Sequence, residues 1–403
     1  MNEPFKHRGA EGGESTPLPG NIEKMSGIDV ESCFLFRHTD GFPRCGEGSA
    51  VVLKDGTVLL VCSRFDRGSE DHDRAELWGG PLDVGQGVWH PGRIFHPAPD
   101  ALNQMSVSLE RLQNGGIGMV WIRKTAPDRD DVYFSQSRDE GQTWSEPVQV
   151  NRGDPVLYFV VNNDRLRQFA SGRLAIPVAR NTAEGSYDRP DLSMFYSDDN
   201  GLSWQRSRDL SLAEGMPVAP HRLLPAQEAV WDEIRAEPAC QEPGVEELAD
   251  GRILYYCRTT MGYMYRAWSE DGGGTWSGLE AATDLVSPCS PQSIRRLPGS
   301  KRLICAYNDR SAVSFCDSDS HWHWRTPLRL AVSDDHGVHW TTVAGLEDDA
   351  HNQCYTSICF TNESALLTYY ESENTVVDGV EKRRNLASLK LLRVPMTALH
   401  WIA

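Results

Sequence analysis

SRDEGQTW, from Ser137 to Trp144, is the stretch on which the reading of this chain turns. Its pattern, Ser-x-Asp-x-Gly-x-x-Trp, returns as SDDNGLSW (Ser197 to Trp204), SEDGGGTW (Ser269 to Trp276) and SDDHGVHW (Ser333 to Trp340). A degenerate fifth copy is LDVGQGVW, in which Asp83, Gly85 and Trp89 keep the chemistry with one residue inserted. The pattern describes a tight turn. The Asp carboxylate and Ser hydroxyl bind backbone N–H groups, Gly takes a conformation closed to other residues, and Trp plugs the loop into the structure behind it. Calcium loops of the EF-hand type need further acidic positions and a distal Glu that these copies lack. Repetition of one supersecondary unit marks an array of like elements.

A second repeat lies between the turns. Six pairs of apolar, β-branched or aromatic runs surround short polar turns: GSAVVLKDGTVLLVCSRF, SVSLERLQNGGIGMVWIRK, DRLRQFASGRLAIPVAR, PGVEELADGRILYYCRT, QSIRRLPGSKRLICAYNDR and YTSICFTNESALLTYYE. Asp55-Gly56, Asn114-Gly115, Ser171-Gly172 and Asp250-Gly251 are hairpin turn dipeptides or close relatives. Strands this short, with no amphipathic helical period between them, predict an all-β, six-bladed β-propeller. Spare strands near Ser32 to His38 and Ala387 to Arg393 are expected to close the ring by sharing a blade. One domain is expected over residues 31–403, preceded by a tail over 1–30, with the Pro/Ala/Glu-rich segment 213–239 as a rim loop.

The charge narrows the partners. At −17 over 403 residues, the surface repels phosphate backbones, so neither nucleic acid nor an anionic membrane is expected to bind. No apolar run approaches the roughly 18 residues of a membrane span. The first twenty residues carry no signal-peptide pattern, and ten cysteines without a C-x-x-C pair lack zinc spacing. These features suit a cytoplasmic chain, or a secreted one whose signal has been removed. No nucleotide-binding glycine loop or HExxH is present, and no cofactor or metal is expected.

A hairpin brings the start of its first strand and the end of its second to one side, opposite the turn. Six hairpins would therefore ring one mouth of a channel with these positions. At the starts stand Arg44 and Glu47, Asn103 and Ser106, Asn163-Asp164-Arg165, Glu242, Pro291-Gln292 and Tyr355. At the ends stand Arg64, Arg123, Arg180, Arg258, Asn308-Asp309-Arg310 and Tyr370-Glu371. Gathered arginines in so acidic a chain imply a local pocket for a carboxylate or phosphate, which guanidinium forks grip bidentately. Taken singly, any such arginine is as often the partner of a neighbouring acid.

With these residues, the chain resembles the bacterial exo-α-sialidase (neuraminidase) superfamily of Asp-box, or BNR-repeat, propellers over nearly its whole length. That family uses three arginines for the substrate carboxylate, a Tyr nucleophile assisted by a Glu, and an Asp acid/base. Phe42-Pro43-Arg44-Cys45-Gly46 occupies the place of the first-arginine motif, without its Ile-Pro, and Arg64 matches the arginine closing that hairpin. SEDHDRAEL resembles the acid/base loop, with Asp71 and Asp73 both eligible. Glu242 and Arg258 bracket EPGVEELADGRILYYCR as the family's Glu and second arginine do, Arg325 sits where the third is expected, and Tyr355-Thr356-Ser357-Ile358 matches the nucleophile segment. Glu47 and the triplet Asn163, Asp164 and Arg165 are additional expected substrate contacts, implying a repacked pocket.

The resemblance implies a retaining exo-glycosidase acting on sialic acid or a related acidic sugar of glycans. A neutral Tyr suits a sugar whose carboxylate sits on the anomeric carbon, since a carboxylate nucleophile would approach against like charge. Glu242 would take the Tyr355 proton, with nearby arginines favouring the phenolate. Two other functions would use the same scaffold: a hydrolase or lyase for uronate-containing glycans, and a glycan-binding propeller without turnover. Binding alone needs the arginines but not a nucleophile with its base.

Overall fold

The computed structural model describes residues 21–25, 28–181, 190–210, 239–311, 325–347, 350–372, 374–377, 380–383 and 386–401. All but the last residue of the rim segment 213–239 lies outside them. The described strands form seven antiparallel sheets, six of them the blades of a six-bladed β-propeller and the seventh a two-stranded hairpin of Asn374–Val377 with Val380–Arg383. Each hairpin read from the sequence supplies the two inner strands of a blade. In the first blade, Arg44–Val52 pairs with Val58–Phe65, then Ala75–Asp83 and Val88–Trp89 follow outward. The other blades begin at Asn103–Arg111, Tyr158–Val160 with Arg167–Gln168, Cys240–Glu247, Ser293–Arg296 and Asn352–Phe360.

Closure comes from the two ends of the chain. Ile28–Phe36 pairs with Ser388–Pro395, which pairs with Ser364–Ser372, so a strand from the front of the sequence completes the last blade. The segment expected as a tail over 1–30 contains strand from residue 21, because Asn21–Met25 takes up the outer edge of Ile28–Phe36. A short helix, Met396–Trp401, tucks Leu399 against the last blade. Among the described residues no helix is long and apolar enough to cross a membrane, and the nine described cysteines are all free thiols.

The apolar core is divided among the contacts between blades. Val61, Leu109 and Trp121 pack the first blade on the second, Phe134, Phe159 and Ile176 the second on the third, and Ala175, Met194 and Tyr255 the third on the fourth. Tyr256, Leu303 and Trp340 continue round, Ile304, Leu330 and Leu367 join the fifth blade to the sixth, and Leu60, Leu366 and Leu391 return to the first. Both faces of every central strand are thus buried, which explains their continuous hydrophobic runs.

The repeated turns carry the expected bonds. In the copy at Ser269, Asp271 Oδ1 accepts from Thr275 N at 2.8 Å and from Ser269 Oγ at 2.7 Å, while Gly273 N donates to Ser269 Oγ at 2.8 Å. The same bonds recur at Ser137, Ser197 and Ser333. The degenerate copy is simpler: Asp83 accepts from Gln86 N at 3.0 Å, and Gly87 rather than Gly85 takes the left-handed conformation. Burial alone would raise the Asp271 carboxyl, but donors from Thr275, Ser269 and Gly274 bring it down to about 2. A depressed carboxyl stabilises the fold above its unfolded value near 4 and loses that contribution as pH falls towards 2. Asp271→Ala should therefore cost about 1–3 kcal/mol at pH 7. Thermal melts should show the gap between variant and parent closing between pH 4 and pH 2.

Candidate active site

The side chains at the channel mouth are aimed by one backbone device. In four blades the innermost strand carries a bulge in which two residues face one: Glu47 and Gly48, Ser106 and Val107, Glu242 and Pro243, Tyr355 and Thr356. The first residue of each pair has left-handed backbone, with φ of 49°, 59°, 47° and 58° in that order. Asp164 does the same in the third blade, at φ 56°. Such a conformation costs a non-glycine residue roughly 1–3 kcal/mol and persists only where the surroundings enforce it. Here each bulge faces a residue with no solvent exposure, namely Cys62, Trp121, Cys257 and Tyr369.

Two of these residues meet across the mouth. Tyr355 Oη donates to Glu242 Oε1 at 2.9 Å, and Arg258 Nη1 lies 3.0 Å from Glu242 Oε2. Gln241 Oε1 accepts from Arg258 Nη2 at 2.7 Å, which fixes the fork. Arg325 stacks over the Tyr355 ring at 5.2 Å and its Nη1 reaches Cys354 Sγ at 3.7 Å. Burial, reinforced by Glu242, raises the Tyr355 phenol well above its usual range against the opposing pull of Arg325 and Arg258. The arginines therefore do not by themselves favour a phenolate, because desolvation outweighs them.

Arg44 stands on the neighbouring first blade, next to Tyr370, whose ring meets that of Tyr355 edge-on at 6.0 Å. Its Nε donates to Tyr370 Oη at 2.9 Å, Nη1 to Asp71 Oδ1 at 2.6 Å and Ser69 O at 3.0 Å, and Nη2 to Glu47 Oε1 at 2.6 Å. Glu47 also accepts from Ser106 Oγ at 2.7 Å. Burial tends to raise the Asp71 carboxyl, yet the Arg44 charge and hydrogen bond bring it down to about 2. Its side chain remains half-exposed towards the cavity it shares with Glu242 and Tyr355. Asp73 turns away, its Oδ2 capping Glu70 N at 2.8 Å. The geometry thus separates two residues that the sequence left equivalent. Gly46 is explained as well: a Cβ there would lie 2.1 Å from the Tyr370 ring, so the Pro of the family motif has no room.

Four expected contacts are not at this site. Arg64 is held between Phe42 and Trp78 at 4.4 and 4.2 Å and paired with Glu76. Asn163 donates to Gly48 O at 2.8 Å and Tyr355 O at 3.1 Å; Asp164 accepts from Ile358 N at 3.0 Å. Arg165 donates to Gln292 O at 2.8 Å. This buried triplet ties the third blade to the first, fifth and sixth across the channel, and the cavity lining passes it by. Conversely, Lys124, Tyr158 and Ser106 line the cavity. Strand alternation could have found Lys124, since Arg123 beside it points outward over Tyr133 at 4.4 Å. Among the described residues no group of three or more His, Cys, Asp or Glu side chains is placed to hold a metal.

Residues 117–367 match the BNR repeat-like domain. The chain belongs to that family. No curated protein sequence matches it. Among solved structures, this BNR-repeat chain is similar to a protein of unknown function from Dyadobacter fermentans, with 18% identity, TM-score 0.66, and 91% of this chain and 99% of that one covered. It is also similar to the NanB sialidase of Streptococcus pneumoniae, with 12% identity, TM-score 0.65, and coverage of 89% and 70%. The Trypanosoma rangeli sialidase in complex with a difluorinated nononic acid gives 15% identity, TM-score 0.65 and 92% coverage, and the match spans 59% of that longer protein. Identities this low establish a shared sialidase-like propeller fold.

The packing of Gly46 against Tyr370 carries a testable consequence for the BNR-repeat site. Gly46→Ala should lower stability by about 1–3 kcal/mol through overpacking. In a denaturant-based double-mutant cycle, Tyr370→Ala should remove most of that penalty; additive losses would place the strain elsewhere.

Proposed function

We propose that the chain is a retaining exo-glycosidase for sialic acid or a related acidic sugar, with Tyr355 as nucleophile, Glu242 as its base and Asp71 as acid/base. The observation that carries this reading is the Tyr355–Glu242 hydrogen bond at 2.9 Å, open to the cavity that Asp71 also lines. A binding module has no use for a half-buried phenol held against a carboxylate.

In the first step Tyr355 Oη attacks the anomeric carbon as Glu242 removes its proton, while Asp71 protonates the departing glycosidic oxygen. Asp71 then takes a proton from water, whose oxygen displaces Tyr355 with a second inversion while Glu242 returns its proton to Tyr355 Oη, so configuration is retained and the site is restored. Arg258 and Arg325, on the Tyr355 side, are the natural grips for the sugar carboxylate. Arg44 differs, because Asp71, Glu47 and Tyr370 already occupy its donors. An incoming carboxylate near Arg44 competes with Asp71 for it, and the added negative charge raises the Asp71 carboxyl towards the range of a working acid.

Three outcomes are expected. An activated difluorinated sialic acid should add its mass to the peptide containing Tyr355, and the label should be absent in Tyr355→Phe, which should melt like the parent. Asp71→Ala should slow cleavage of a poor leaving group by about 100-fold or more and of an activated phenol far less, whereas Asp73→Ala should treat both alike. Because bound substrate raises the Asp71 carboxyl, the basic limb of kcat should lie at higher pH than that of kcat/KM; coincident limbs would contradict the exchange at Arg44.

A further inference from the structure

Lys124 stands in the same pocket without a task in the reaction above. Only 3% exposed, it reaches the wall beside Asp71, where Nζ donates to Tyr158 Oη at 3.0 Å. An ammonium has three N–H donors. Among the described residues, Tyr158 is its one hydrogen-bond partner, and no carboxylate lies within ion-pair distance. Buried ammonium groups are ordinarily paired, since stripping water from an uncompensated charge is costly. The surrounding charges act from further away: Asp71, Asp130 and Glu47 favour the ammonium and Arg44 opposes it, while burial prevails and lowers its pKa. The adjoining wall is apolar, made by Met105, Ile122, Phe159 and Val161. A charge held dry, with donors to spare and facing a cavity, is a binding group awaiting its anion.

We infer that Lys124 and Tyr158 form an oxyanion subsite of the sugar pocket, so that the preferred glycone carries a second acidic substituent, a sulfate ester or a carboxylate, besides the acid group at the anomeric centre. This rests on the acidic-sugar reading of the site. The subsite stands on the second and third blades whereas Arg258 belongs to the fourth and Arg325 leads into the fifth, so the two acidic groups of one sugar are held by different parts of the mouth. Tyr158 Oη holds the Lys124 ammonium in place at the edge of the cavity. Lys124 is then the residue that selects among acidic sugars rather than one that performs the reaction.

Calorimetric titration of Tyr355→Phe tests the subsite without turnover, using sialic acid, its O-sulfate esters and a dicarboxylated analogue. One of the two doubly acidic classes should bind about tenfold or more tightly than sialic acid, and which class does so identifies the oxyanion. Adding Lys124→Met should bring that ratio close to one, and Lys124→Arg should keep most of it. The ligand-free Lys124→Met protein should melt at or above the parent temperature, because a buried ammonium without an ion pair has been removed. A fall of several degrees would make Lys124 a structural partner and overturn the subsite. So would a ratio near one in the parent, or a preference that survives Lys124→Met. Binding without preference overturns the subsite alone; failure of every acidic sugar to bind overturns the proposed function with it.

Discussion

The bulge in the innermost strands is the constraint on which the site depends. A regular antiparallel strand alternates its side chains between the two blade interfaces, and neither direction points along the channel. Inserting one residue and turning the backbone left-handed re-aims a single side chain towards the mouth. Glu47, Ser106, Glu242 and Tyr355 are all delivered this way, from four separate blades. Their strain is offset by bonds among themselves, Glu47 to Ser106 and Tyr355 to Glu242. The fully buried residue opposite each bulge gives the distorted strand a packed surface to rest on.

Charge is distributed unevenly around this ring. One wall, Arg44 with Glu47, Asp71 and Tyr370, is saturated before any ligand arrives. Beside it, Arg325 lies over the ring of a phenol that burial keeps protonated, and Arg258 pairs with Glu242, the acceptor of that phenol. In the ligand-free site both shifts run against the proposed reaction, with Tyr355 held as a phenol and Asp71 as a carboxylate, so Glu242 must take the Tyr355 proton and bound substrate must raise Asp71 before it can donate.

The fold was legible because its signals are local. The turn pattern needs only eight consecutive residues, and each hairpin announces itself by its own dipeptide. Positions at the mouth were legible as a set, because hairpin geometry sends strand starts and ends to one side. Which of two neighbours faces inward was not, since it depends on the bulge and on the loop that follows. Asp71 and Asp73 both fit the loop motif, yet only the folded chain shows one bound by Arg44 and the other capping Glu70. Arg123 was read in place of Lys124, and Arg64 was expected in the pocket although Phe42 and Trp78 hold it outside. Asn163, Asp164 and Arg165 look like ligand contacts because they are polar and central, but they spend that polarity joining blades, a role visible only when strands distant in sequence meet.

Everything proposed for catalysis requires Tyr355, Glu242 and Asp71 to form one reaction centre around an acidic sugar. A crystal structure with sialic acid or a close acidic relative bound tests it most directly. The anomeric carbon should lie within van der Waals contact of Tyr355 Oη, its carboxylate between Arg258 and Arg325, and Asp71 over the glycosidic oxygen. A sugar seated instead in the groove on the turn face, lined by Gln168, Arg173 and Asp271, would contradict it.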